Sequence, residues 1–131
     1  MKNNLSLSLL MLRLSVFLVM FMWTLDKFIN PGHAAKVFEH FYFLPNSGET
    51  LLAIVGSIQM IIIIAFVIGF KKKISYGLVF IMHFISTVSS FNQYLNPWDN
   101  LLFFAAWPML AACFALYTLR EKDTLYTISN Y

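Results

Sequence analysis

Cysteine is almost absent from this chain. Cys113 is the single thiol among 131 residues. No internal disulfide can form, and no cysteine-built metal cage is expected. No charged helper stands near it in sequence, so inert packing is expected rather than thiol chemistry. Charge is scarce as well. Only 11 % of residues are Asp, Glu, Lys or Arg, against about 25 % in soluble domains. The net charge is +3, and no basic stripe of the nucleic-acid-binding kind exists, which excludes nucleic acid as a partner. Catalytic signatures are missing too: no glycine-rich phosphate loop, no Ser/His/Asp pattern, no HExxH and no heme-attachment motif. His83 is the one histidine inside a long apolar segment, so facing histidines for heme are not expected. No intrinsic cofactor and no metal site follow from these residues.

What is present is apolar. Sixty per cent of the residues are hydrophobic, and 14 Phe, three Trp and six Tyr are among them. So much apolar surface does not fit inside a globule of this size, and lipid is its natural solvent. The length suits a single domain, 1–131. Four apolar segments stand out, at about 5–25, 51–70, 75–95 and 101–119. Each approaches the ~20 residues that carry a helix across ~30 Å of hydrocarbon. Segments so long and continuous are expected to be helices, since lipid tolerates only helices and closed barrels. The N-terminal run holds Arg13 and lacks a small-residue cleavage site, so it reads as a retained first helix and not a signal peptide.

The connections fit an antiparallel bundle. Lys71, Lys72 and Lys73 join the second and third segments tightly. Asn96-Pro97-Trp98-Asp99-Asn100 forms a turn before the fourth. Lys2, the three lysines, Arg120 and Lys122 share one side, whereas Lys27 and Lys36 lie on the other. The richer side is expected to be cytoplasmic, with both termini. In the long first loop, Ala34, Val37, Phe38, Phe41 and Tyr42 recur at helical spacing. They predict a short interfacial helix over about 33–43, apolar face down. Residues 121–131 are polar, and the end of that tail is expected to be mobile.

Polar residues inside the segments need a reason, because a mid-membrane charge costs roughly 2.5–3.5 kcal/mol. Arg13 and His83 each lie eight residues into their segments, and Gln59 lies near the middle of the second. This spacing predicts one shared layer. Tyr76, Phe80, His83, Thr87, Ser90 and Tyr94 form a stripe on the third segment. Arg13, Phe17, Met20, Thr24 and Lys27 form another on the first. Two readings stay open. In one, Arg13, Gln59, His83, Tyr76, Thr87 and Ser90 line a pocket suited to a quinone carbonyl, a small anion or a proton relay. In the other, they only tie helices together, and Arg13 reaches back to the inner surface. An outer polar cluster holds Asp26, Lys27, Asn92 and Asp99, with His33, Glu39 and His40 above it. Interfacial anchoring is its simpler reading. Pro108 is expected to kink the fourth helix.

Arg13 in RLSVFLVMFMW, then Asp26-Lys27-Phe28 and Pro31, the segment IVGSIQMIIIIAFVIGFKK and the Asn96-Pro97 turn come in an order that resembles the DoxX-like family of small bacterial membrane proteins. Gln59 stands where many relatives have a glutamate. The resemblance implies an all-α, integral membrane, antiparallel four-helix bundle in the bacterial inner membrane, with the interfacial helix in the periplasmic loop. It implies little about activity; the layer of Arg13, Gln59 and His83 is what points to a quinone- or redox-linked membrane subunit, with quinone as ligand and a membrane partner or a homo-oligomer. The alternatives are a non-catalytic accessory or assembly protein, or a small-solute carrier. The absence of repeats weighs against a carrier.

Overall fold

The computed structural model describes residues 2–29 and 49–128. The expected interfacial helix at 33–43, with His33, Glu39 and His40, lies outside them. Every regular element among the described residues is helical. The order is α1 (Lys2–Ile29), α2 (Glu49–Val67), α3 (Lys72–Ser89), the single turn α4 (Phe91–Tyr94) and α5 (Ala106–Thr118). Short 3-10 turns lie at Pro97–Asp99, Leu101–Ala105 and Arg120–Lys122. Neighbours in the bundle are α1 with α2, α2 with α3, α3 with α5, and α5 with α1.

The seams follow helical spacing. On α1 the buried residues are Leu9, Arg13, Val16, Met20 and Thr24, at steps of three and four. Ile63 and Phe66 of α2, Tyr76 and Val79 of α3, and Cys113 and Leu116 of α5 meet them. The outward faces are aliphatic: Met11, Leu18, Ile58, Ile61, Ile81 and Val88 are all exposed. Several polar groups are buried, among them Arg13, Lys72, Ser75, His83, Thr87 and Asp123. Two helical stretches, Asn4–Asp26 and Leu101–Thr118, are long and apolar enough to cross a membrane. Of their apolar windows, 28 % and 11 % is buried. Ala53–Val67 adds a shorter apolar helix.

Helix ends differ from the expected bounds for identifiable reasons. α2 stops at Val67 because Gly69 adopts φ +70°. Gly69 N–H donates to Phe66 O at 3.1 Å and Phe70 N–H to Ala65 O at 2.8 Å, the Schellman pattern in which glycine carries the left-handed residue. α3 ends at Ser89 and does not run to 95. There the hydroxyls of Ser89 and Ser90 donate to Ile85 O and Ser86 O, and the Tyr94 phenol takes Thr87 O at 2.9 Å. Pro108 falls in the first turn of α5, where a missing N–H removes no helical bond. The change of geometry comes before it, where the 3-10 turn Leu101–Ala105 leads into α5.

Two contacts fix the lengthwise register. Arg13 reaches the level of Tyr76, since both bond Asp123. Trp23 stacks on His83, with centroids 6.0 Å apart. α1 has 28 residues and α3 has 18. The extra turns of α1 therefore run past the 68–71 turn, and the tail after Thr118 folds back over them. Leu9, near the start of the chain, is only 1 % exposed and belongs to the core cluster.

Candidate functional site

The buried polar groups form two levels, not one layer. The lower level sits beside the 68–71 turn and is built around Asp123, which is fully buried. Arg13 Nη1 donates to Asp123 Oδ1 at 2.5 Å, and Arg13 Nη2 donates to Leu125 O at 2.6 Å. The Tyr76 hydroxyl donates to Asp123 Oδ2 at 2.6 Å. Lys72 Nζ donates to the Asp123 carbonyl. One segment of the tail thus satisfies three donor side chains from α1 and α3. Phe66 closes the level from α2, its ring edge-on to Tyr76 at 4.9 Å. Two further contacts hold the tail: Ile128 N–H donates to Ile68 O at 3.0 Å, and Thr127 lies against Gly69.

The electrostatics of this level are unbalanced. Two cationic side chains, Arg13 and Lys72, lie at Asp123, Arg13 on its carboxylate and Lys72 on its backbone carbonyl. Burial pushes the Lys72 ammonium below its usual range; the charge of Asp123 opposes that and the charge of Arg13 adds to it. Arg13 itself is fully buried. It faces the bundle and does not reach back to the surface.

The upper level centres on His83, 1 % exposed. His83 Nε2 lies 2.9 Å from Ala106 O, and Nδ1 is buried without a partner. Gln59 is half-buried on α2, with Oε1 enclosed and unpartnered. Thr87, one turn above His83, donates its hydroxyl proton to His83 O at 2.8 Å. Ser90 donates to its own helix as well. A Tyr94, Phe104 and Trp107 cluster covers this end, with centroids 5.3–5.4 Å apart.

Of the residues expected to share a pocket, the structure brings Arg13 to Tyr76 and places His83, Thr87 and Ser90 along one seam. Arg13 and His83 stand at different levels: Arg13 shares Asp123 with Tyr76, about two helical turns before His83 on α3. In the outer cluster Asn92 and Asp99 are exposed and Asp26 is half-buried; the Lys27 side chain lies outside the described residues. No group of three or more His, Cys, Asp or Glu that could hold a metal occurs among the described residues. Sequence reasoning missed Asp123 and Lys72 as site residues. The available signal was Arg13 itself: a buried guanidinium requires an anion, and the acidic candidates on its side are Glu121 and Asp123.

Compared with known proteins, the chain matches no family model, no curated protein and no solved structure.

Proposed function

We propose that this chain is a four-span protein of the bacterial inner membrane, of the DoxX-like kind, serving as a non-catalytic accessory or assembly subunit. The observation that carries this reading is the consumption of Arg13 by the chain's own tail. A ligand site would keep a fixed positive charge available. Here both terminal nitrogens of the guanidinium are bonded, and the carboxylate that binds it is fully buried. The lower level behaves as a lock between α1, α3 and the tail. The aliphatic outer faces supply surface for lipid and for a partner helix. With both termini cytoplasmic, Arg13 and Lys72 lie near the inner edge of the membrane, not at its centre. Crosslinking from exposed positions on α2 and α5 in native membranes tests this. Recovery of one stable membrane partner is expected, and recovery only as an isolated monomer contradicts it.

A second reading, a redox-linked subunit with a quinone-type ligand inside the bundle, is favoured by a different observation: the unpartnered Nδ1 of His83 and Oε1 of Gln59. Binding of a quinone analogue that is lost in His83→Ala supports it, and no binding at all removes it.

A further inference from the structure

The outward side of the α2–α3 hairpin carries a groove beside the 68–71 turn, with a volume of about 200 Å³. Ile61 and Ala65 of α2 line one side, Ile74 and Leu78 of α3 the other, and Phe70 and Lys71 the turn end. Leu78 is seven residues beyond Lys71, so the groove runs about 10 Å along the bundle. The surface it presents is wholly apolar. Ser75 borders it, but its hydroxyl donates to the chain's own Phe70 O at 2.9 Å. An apolar cavity of roughly 150 Å³ stays dry and takes benzene, so a groove of this size and lining suits an alkyl chain better than water.

The turn end has the opposite character. Lys71 and Lys73 are exposed, and the Lys71 ammonium lies 5.7 Å from the centre of the Phe70 ring. Lys72 is turned inward, to Asp123 O. No acidic residue lines the groove. For helix electrostatics these lysines are misplaced. The N-terminus of α3 is the positive end of its dipole and favours anions. Yet its first turn holds no acid, and Lys71 at the cap position makes no side-chain hydrogen bond to it. Lys71 also holds φ 44°, a left-handed backbone that glycine or asparagine adopts more readily than lysine. The dipole and the mutual repulsion of the lysines both disfavour this arrangement, and an anion bound at the turn relieves both.

We propose that this groove binds one anionic phospholipid of the cytoplasmic leaflet, with an acyl chain between Ile61, Ala65, Ile74 and Leu78 and the phosphate at Lys71 and Lys73. The apolar wall and the cationic mouth match the two parts of such a molecule in the order a membrane presents them, charge at the surface and chain below. A partner helix would match the aliphatic wall and leave the lysines without a counter-charge. The proposal rests on the membrane reading, with the 68–71 turn on the cytoplasmic side, and is independent of the choice between accessory and redox-linked subunit.

The test uses the full chain in phosphatidylcholine nanodiscs doped with phosphatidylglycerol that carries a photoreactive diazirine on one acyl chain. Labelled peptides are mapped by mass spectrometry. Label is expected to concentrate on residues 61–65 and 74–78, and the matching phosphatidylcholine probe is expected to label them severalfold less. A lysine beside an anionic headgroup contributes about a fivefold preference. Lys73→Gln and Lys71→Asn should therefore each lower phosphatidylglycerol labelling about fivefold; asparagine suits the left-handed position, so the turn is kept. Ala65→Phe, which fills the groove, should lower labelling by both probes. Lys122→Gln removes another exposed lysine, one outside the groove, and should change nothing. Equal labelling by the two probes overturns the proposal, and that comparison needs no variant. So does label spread over the outward faces of all the helices, or an equal loss in Lys122→Gln. A partner helix crosslinked through position 61, with no lipid label there, overturns it as well. Recovery of the chain in the soluble fraction defeats the membrane reading itself, so the two failures are distinguishable.

Discussion

Asp123 carries more of the lower level than any other residue, because its two carboxylate oxygens and its carbonyl each accept a bond from a different side chain. Asp123→Ala leaves a buried guanidinium uncompensated, and a loss of about 3–5 kcal/mol is expected in detergent unfolding. Arg13→Met combined with Asp123→Ala removes both charges, so the double variant is expected to recover most of that loss. A double variant as unstable as the single one contradicts the pairing. Lys72 gives a pH dependence with a definite sign. Its folded pKa lies below the unfolded value of 10.5, so in that window the unfolded chain holds a proton that the folded chain has released. Stability from this group therefore rises with pH across the window. Relative to Lys72→Met, the wild-type tail should become better protected from protease between neutral pH and about pH 10, by linkage. Protection that falls relative to the variant reverses the sign.

Among the elements, the tail and the 68–71 turn act as one unit. A Cβ at position 69 would sit 2.5 Å from Thr127 Cβ, on a backbone at φ +70°. Gly69→Ala therefore strains the turn by about 1–2 kcal/mol and pushes the tail away. Faster amide exchange at Ile128 is expected, together with earlier proteolysis after Leu119; unchanged exchange contradicts the coupling. The helical character of the apolar runs was legible from their length, and of the polar stripe in the third segment Tyr76, His83, Thr87 and Ser90 are buried. Their ends were less legible. The break at Ser90 depends on hydroxyls returning to their own helix and on Tyr94 capturing Thr87 O, which are tertiary choices. The single polar layer dissolved because equal distances from two helix starts mean equal depth only if the starts are level. α1 overhangs α3, and nothing in either segment announces that. The polar composition of the tail gave no sign of burial, yet Asp123 is fully buried. Its partner lies 110 residues away in the chain.

For the molecule as far as it is described, three ionic side chains, Arg13, Lys72 and Asp123, are buried, while many branched aliphatics are exposed. Detergent removal should therefore aggregate the protein, whereas lipid nanodiscs should keep it monodisperse or bound to its partner. The central claim, four spans with the 68–71 turn and the tail on the cytoplasmic side, is tested most directly by single-cysteine labelling of intact cells. With Cys113→Ala as background, cysteines placed at Lys73, Trp98 and Thr124 are probed with a membrane-impermeant maleimide. All three residues are exposed in the bundle. The account predicts labelling at position 98 from outside, and labelling at 73 and 124 only after the cells are opened. Labelling of 73 or 124 in intact cells, or recovery of the protein in the soluble fraction, would contradict it.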